Sequence, residues 1–373
     1  MAMTRSDDLS AIEKCISNSL SAVSLGAKAI TGVIGDAPSH YSRSPSLWNA
    51  AFEELGLDAV YLPFDIGDDQ LPHLLTLLRQ CERFWGANVT VPHKLRIMKL
   101  LDAIDPGAAR IDAVNTIVRT KDGRLIGYNT DGDGFVQSVL QPQPGRSEPF
   151  IPSLAGMKVL LIGAGGSARA VAFHITDLLE SGQLLICNRT MPAALALADS
   201  VRQQGRQALA LSEAQIDEQM LDVGLIINST TKGQGGIRKL PDGRVTKLEP
   251  YSALAPAHPP AFPASELDKP DFDRTWLQAA SRDIESNNEL SLRLAKAMPA
   301  HVRFYDLIYH PEETVFLRHG RLTGHVSMNG KAMIIHQAAI AFYKYICREH
   351  LKSQGIEEVA TQKQVLHAMA SAW

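Results

Sequence analysis

Three observations predict an α/β protein built as two units. Short apolar strands alternate with helical patterns from residue 28 to a hairpin ending at 127, and again from 157 to 308. A glycine-rich turn at 163–168 joins a strand to a helix, as doubly wound sheets require. The length, 373 residues, is that of about two domains.

The elements follow in order. Residues 1–27 are polar and read as an extra segment, a helix or a loose arm. Residues 28–34 form a strand that turns at Gly35, and Pro45 opens a helix over 45–56 that stops near Gly56. A second strand covers 60–64, a helix 69–80 and a third strand 87–91. Leu95, Ile97, Met98, Leu100, Leu101 and Ile104 suit a following amphipathic helix. Residues 113–119 and 124–127 pair around Lys121-Asp122-Gly123. The second unit is expected to begin near 132, after which 141–153 is a proline-rich loop. Strands at 157–162 and 183–187 lead into helices at 166–180 and 191–204, and further strands lie at 223–228 and 301–308. Residues 234–290 do not fit the alternation. Gly235-Gly236, Pro256, Pro259-Pro260 and Pro263 precede a charged stretch to Glu289, which reads as an insertion or mobile loop. Helices at 331–350 and 361–372 close the chain, and there is no internal repeat.

Composition excludes several classes. Hydrophobic residues are 45% and charged residues 21%, which is globular rather than disordered or collagen-like. The net charge of -3 provides no basic field for nucleic acid. Cys15, Cys81, Cys187 and Cys347 are far apart and form no C-x-x-C pair, so free thiols in a reducing compartment are expected. The N-terminal stretch carries Asp7-Asp8 and lacks the apolar core of a signal peptide. No run approaches the roughly 20 apolar residues of a spanning helix. A soluble cytoplasmic protein with a small-molecule partner, no nucleic acid and no membrane is expected. His93 and His336 read as packing or surface residues. No ligand cluster has metal spacing, so no metal is expected.

Five motifs carry chemistry. In Gly163-Ala164-Gly165-Gly166-Ser167-Ala168, glycines let the backbone approach a pyrophosphate while the helix start supplies N–H donors. The alternative is a tight turn that packs helix on strand. Asn188-Arg189-Thr190 ends the next strand; a basic residue there suits the 2′-phosphate of NADP, whereas an acid would suit NAD. Alternatively, Arg189 is a surface residue and Thr190 an N-cap. Ser42 and Ser44, two apart on an extended segment, point one way, although Ser44 before Pro45 also has the place of an N-cap. In the run from Gly86 to Lys94, Asn88 and Thr90 share a face and Pro92 opens a helix with Lys94 in its first turn. A cation at the positive end of a helix is disfavoured, which makes an amine a usable acid or base near neutrality. Otherwise Lys94 is a solvated surface lysine. Finally, Val114-Asn115-Thr116 and Asn129-Thr130-Asp131-Gly132 place a carboxylate at the start of a helix, where its alternative role is to stabilise that helix end.

Together these motifs resemble the shikimate dehydrogenase family, including its quinate/shikimate branch, from about Ala29 to Tyr345. Late pieces match as well: Tyr305 to Tyr309, Thr314 and Phe316-Leu317, then Gly330 and Gln337. The resemblance implies an N-terminal α/β substrate domain and a Rossmann NAD(P) domain around a cleft, with a C-terminal helix returning to the first domain. The domains implied are an extension at 1–27, a catalytic domain at 28–131, a cofactor domain at 132–320 and C-terminal helices at 321–373. It implies that Lys94 and Asp131 pass the proton of the substrate hydroxyl as hydride leaves for the nicotinamide. Ser42, Ser44, Thr90, Asn115, Tyr309 and Gln337, with that pair, would hold a small cyclic polyol acid. Gly163 to Ala168, Asn188, Arg189, Thr190, Ser229, Thr230 and Gly330 would hold NADP, with NAD as the alternative. A monomer or homodimer is expected.

Departures from the family pattern are local. Ala193 and Ala194 replace a second basic residue, Lys232 is an unexpected charge in the cofactor loop 229–233, Asn329 replaces an Asp, Ala332 a Gly, and Asp112 a Gly. The expected reaction is NADP-dependent interconversion of 3-dehydroshikimate and shikimate. Quinate or a modified shikimate with either cofactor is the nearest alternative. A non-catalytic sensor of a shikimate-type ligand, or an unrelated Rossmann reductase, are the alternatives of other classes.

Overall fold

Two six-stranded sheets organise the computed structural model, which describes residues 7–20, 26–143, 146–219, 222–234, 250–261, 272–356 and 358–373. The first unit contains β1 (Ala29–Gly35), β2 (Ala59–Asp65), β3 (Phe84–Val89), β4 (Ala103–Ile104), β5 (Thr116–Arg119) and β6 (Leu125–Tyr128), in the order β2-β1-β3-β5-β6-β4. β1 lies parallel to β2 and β3, and the β5–β6 hairpin joins β3 antiparallel. Its helices are α1 (Asp7–Glu13), α2 (Pro38–Tyr41), α3 (Ser44–Glu54), α4 (Leu71–Gln80), α5 (Pro106–Ile111) and α6 (Asp131–Leu140).

Every residue of β1 is buried, as expected of a strand covered on both faces. Alternation divides it: Ile30 and Ile34 pack with Leu71, Leu74 and Leu78 of α4, while Ala29 and Val33 pack with Trp48 and Phe52 of α3. The described part of the N-terminal extension is no loose arm. Ile12, Cys15, Ile16 and Leu20 join the α4-side core. Asn18 pairs with the outer edge of β2, donating to the Pro63 carbonyl at 3.0 Å and accepting the Asp65 N–H at 2.8 Å. A sheet edge that would otherwise be open is thereby covered.

The second unit is a wholly parallel sheet of β7 (Lys158–Ile162), β8 (Gln183–Cys187), β9 (Ala208–Leu211), β10 (Val223–Asn228), β11 (Arg303–Asp306) and β12 (Ser327–Met328). Its order, β12-β11-β10-β7-β8-β9, reverses direction between β7 and β10, the topological switch of a doubly wound sheet. Its helices are α7 (Gly166–Leu178), α8 (Met191–Arg202), α9 (Ile216–Gln219), α10 (Phe272–Ala297) and α11 (Val315–Leu322). α12 (Lys331–Ile340), a π-helical turn (Ala341–Ile346), α13 (Arg348–Ser353) and α14 (Glu358–Ser371) end the chain. Residues 332–373 belong to the first unit, where Phe342, Val365 and Met369 pack with Trp48 and Phe52.

Four expectations are corrected. Residues 95–104 form a short 3₁₀ turn (Arg96–Leu100) and then β4, because the chain re-enters the sheet: Asp102 and Asp105 donate backbone N–H groups to Leu125 and Gly127. No helix opens at Pro92, so no helix end acts on Lys94; 91–95 are turns. The second compact unit begins at Phe150 rather than near 132, since α6 buries Phe135 and Val139 and its Gly134 lies against the backbone of Gln337 in α12. In the expected insertion at 234–290, residues 235–249 and 262–271 lie outside the described residues, but the charged stretch is α10, a helix of 26 residues. All four cysteines are buried, and no disulfide joins them. Among the described residues no helix is long and apolar enough to cross a membrane, and no group of three or more side chains is arranged to hold a metal.

Candidate active site

Lys94 and Asp131 come from places 37 positions apart and meet directly, the ammonium on carboxylate oxygen Oδ2. The lysine side chain is 13% exposed and the carboxylate 1%. The lysine's own carbonyl accepts the Val114 N–H at 2.9 Å, which ties the 91–95 turn to the segment before β5 that carries Asn115. Asn115 holds the other carboxylate oxygen, donating from Nδ2 at 2.7 Å. Its side-chain oxygen accepts the Thr130 N–H at 2.8 Å. Asn129 accepts the Asp131 N–H at 2.9 Å and donates to Ala113 at 2.9 Å. Asp131 also opens α6, where the partial positive charge of the helix end favours an anion. The buried carboxylate is thus met by a cation, an amide donor and a helix start.

The network continues. Thr116 donates to Asn115 at 2.9 Å, Asn88 to Thr116 at 3.1 Å, and the buried Tyr61 phenol to Asn88 at 2.7 Å. Burial pushes the Tyr61 phenol well above its ordinary range, partly offset by its hydrogen bonds to Ser44 and Asn88. Ser44 is thereby linked to the chain of side chains that ends at Asp131. It is the first residue of α3 and not its cap; the side chain that binds the turn is Ser42, which accepts the Ser44 N–H at 3.2 Å. Thr90 follows β3, half-buried, and donates its N–H to Ile34 at 2.9 Å. Gln337 is half-buried on α12, and its Oε1 is a buried atom without a partner. An orphaned acceptor costs free energy unless a ligand donor meets it. Next to it, burial lowers His336 to about 4.

Sequence reasoning missed Tyr61, and missed Asp65, whose carboxylate accepts the Ser39 N–H at 2.8 Å and the Ser39 hydroxyl just before the serine pair. Neither sits in a recognisable motif. Asp112 takes the left-handed conformation at the end of α5, φ 57°, which explains why glycine suits this position.

In the second unit, Gly163 has φ 118°, and a Cβ there would strike the Ser229 hydroxyl and lie 3.1 Å from Thr230. Only glycine fits. Gly165 is exposed with open space around it, and no side chain caps α7 there. Residues Gly163, Ala164, Gly165, Gly166, Ser167 and Ala168 thus form a turn whose backbone a phosphate can approach. Asn188 donates to Thr190 Oγ1 at 2.8 Å and fixes the turn that carries the exposed Arg189; the Thr190 side chain makes no capping bond to α8. These residues fit a dinucleotide, with a guanidinium available for a 2′-phosphate.

Asn228, at the end of β10, orders the 229–233 loop. It accepts from the Thr230 N–H at 2.9 Å and hydroxyl at 2.7 Å, and donates to Asp306 at 2.9 Å. Burial raises Asp306 to about 7 against bonds from Ile308, Thr314 and Asn228. Tyr309 lies half-buried after β11 in this second unit. Gly330 lies against the backbone of Leu307, leaving no room for a side chain.

Residues 33–117 match the model of the shikimate dehydrogenase substrate-binding domain, and 147–239 that of the shikimate/quinate 5-dehydrogenase domain. A shikimate dehydrogenase (NADP(+)) of Desulforamulus reducens is 32% identical over 320 residues, 85% of this chain and 89% of the relative. A shikimate dehydrogenase crystallised with NADP+ superposes with a TM-score of 0.63 at 27% identity, over 92% of this chain and 96% of that one. Shikimate 5-dehydrogenase of Thermus thermophilus, bound to NADP(H) and shikimate, gives 0.60 at 27% identity, over 91% and 99%.

Proposed function

The chain belongs to the shikimate dehydrogenase family, and from that premise we propose that it interconverts 3-dehydroshikimate and shikimate with NADP, using Lys94 and Asp131 as the acid–base pair. The carrying observation is the Lys94–Asp131 contact with Asn115 fixing the second carboxylate oxygen. NADP, when bound, supplies the hydride acceptor. The protein's part is position and proton transfer. The Lys94 amine takes the proton of the ring hydroxyl being oxidised and returns it in the reverse direction. Asp131 orients that amine and balances its charge.

Ser42, Ser44, Thr90, Asn115, Tyr309 and Gln337 are assigned to the substrate's carboxylate and ring hydroxyls. Gly163 to Ala168, Asn188, Arg189, Thr190, Ser229, Thr230 and Gly330 are assigned to the cofactor. The unpartnered Oε1 of Gln337 supports a hydroxyl donor in the ligand. The first unit takes the substrate role and the second the cofactor role. The protein is assigned to the cytoplasm, as a monomer or homodimer, with no nucleic-acid partner.

Steady-state assay of shikimate and quinate against NADP and NAD tests the reading. Shikimate with NADP is expected to give the highest kcat/KM. A higher value with quinate moves the chain to the other branch, and binding of shikimate without turnover makes it a sensor.

A further inference from the structure

Lys232 stands in the loop that leaves β10, three residues after Ser229. Its ammonium meets Glu213, at the start of the turn after β9, and donates to the Ala255 carbonyl at 3.0 Å. The two side chains are 16% and 12% exposed, so the pair is largely out of water. Three stretches of chain converge on this amine, and each is fixed independently. Ser212 and Gln215 close a capping box around Glu213. Ala255 lies in a buried segment clamped by Asn287 of α10, which accepts the Ser252 N–H at 2.8 Å and donates to the carbonyls of Ala255 and Pro256, both at 2.9 Å. On the loop itself, Asn228 donates to the Lys232 carbonyl at 3.2 Å. The same loop presents Ser229 and Thr230 to Gly163, the first glycine of the phosphate-binding turn. Packing this close leaves the loop no room to shift without moving the turn.

We propose that Lys232 is a positioning residue for NADP: it clamps the 229–233 loop against the glycine-rich turn and makes the 250–261 segment a determinant of cofactor affinity. The proposal rests on the reading of 163–168 as the NADP site. Lys232 is thus no phosphate ligand; its charge is balanced by Glu213 and one of its protons is held by Ala255. Removing the lysine leaves Glu213 buried without its cation, which strains this corner.

The test is direct titration of the full chain with NADP and, separately, with shikimate, by calorimetry, alongside thermal melting. Lys232→Met is expected to raise the NADP Kd about tenfold and leave that of shikimate within about twofold. Lys232→Arg should retain most of the affinity. Asn287→Ala, which loosens Ala255 without touching the loop, should raise the NADP Kd about threefold. If Lys232→Met does not fold, the other two variants decide. NADP Kd values within about twofold of wild type for Lys232→Met and Asn287→Ala overturn the clamp, as does an equal loss of both ligands. Weakening by Lys232→Met with none by Asn287→Ala makes Lys232 a direct ligand and also overturns it. A wild-type chain that does not bind NADP overturns the functional reading and the clamp with it; wild-type binding with unchanged variants overturns the clamp alone.

Discussion

Among the described residues, two lysine–carboxylate pairs are largely buried, Lys94–Asp131 in the first unit and Lys232–Glu213 in the second. Their exposures are similar, and each ammonium touches its carboxylate. Their neighbours differ. Asp131 is held from behind by Asn115 and by the start of α6, so what is fixed is the charge that faces the lysine. In the second pair the lysine itself is tied down, by a carboxylate and a main-chain carbonyl from separate segments. On the proposed reading, the first arrangement keeps a proton carrier oriented, whereas the second joins three pieces of chain. A buried lysine–carboxylate contact is therefore no signature of catalysis by itself; the hydrogen bonds behind it decide the role.

The largest expected effect separates the pairs directly. Asp131→Asn keeps the shape and removes the charge, and should lower kcat on the order of 10³-fold. Glu213→Gln should leave kcat at saturating NADP within about threefold, its effect confined to NADP affinity. Equal losses of kcat in the two variants would erase the distinction drawn here. Next in size, Arg189→Asp should move the NADP/NAD ratio of kcat/KM about a hundredfold toward NAD, since a guanidinium–phosphate contact becomes a repulsion. An unchanged ratio removes Arg189 as the phosphate reader.

A third prediction concerns pH. His336, beside Gln337, is lowered by burial to about 4. The unfolded chain binds a proton near 6.5 that the folded chain refuses. The contribution to stability is therefore full above about pH 6.5 and is lost as pH falls toward 4, by up to about 3 kcal/mol. Asp306, raised to about 7, acts with the opposite sign: its contribution is full below the usual carboxylate range and is lost as pH rises toward 7. Urea melts of wild type and His336→Gln between about pH 7 and 4.5 isolate the histidine. The variant should show the shallower acid loss, and parallel curves would mean that His336 is not held neutral. The smallest effect is on the arm. Asn18→Ala should cost about 1 kcal/mol of stability, as loss of two strand-edge hydrogen bonds implies, without changing kcat.

Most of the strand–helix alternation was legible because its period-two and helical patterns are carried by apolar residues. β1 is buried along its whole length, β7 ends in the apolar run Val159, Leu160, Leu161 and Ile162, and the glycine-rich turn punctuates the second unit. α10 was missed for a physical reason. Its inward face runs Trp276, Ala280, Ile284, Asn287, Ser291 and Leu294, with Met298 just beyond its end, all buried at helical spacing, but two of the seven are polar. Asn287 and Ser291 are inside because they satisfy the backbone and side chain of the 250–256 segment, a tertiary fact that no local pattern encodes. Lys94, Asn115 and Asp131 were legible as motif residues, and their convergence is now visible. Tyr61 and Asp65 were not, because a strand residue with a polar end looks the same whether or not it supports a site. The expected helix after Pro92 failed because apolar spacing at 95–104 is shared by a 3₁₀ turn and a returning strand.

The central claim is that the Lys94–Asp131 pair moves the substrate proton. Its most direct test is Lys94→Ala, assayed for shikimate-dependent reduction of NADP and titrated with NADP in parallel. The account predicts a kcat lowered on the order of 10³-fold with NADP affinity unchanged. Wild-type kcat in that variant would contradict it.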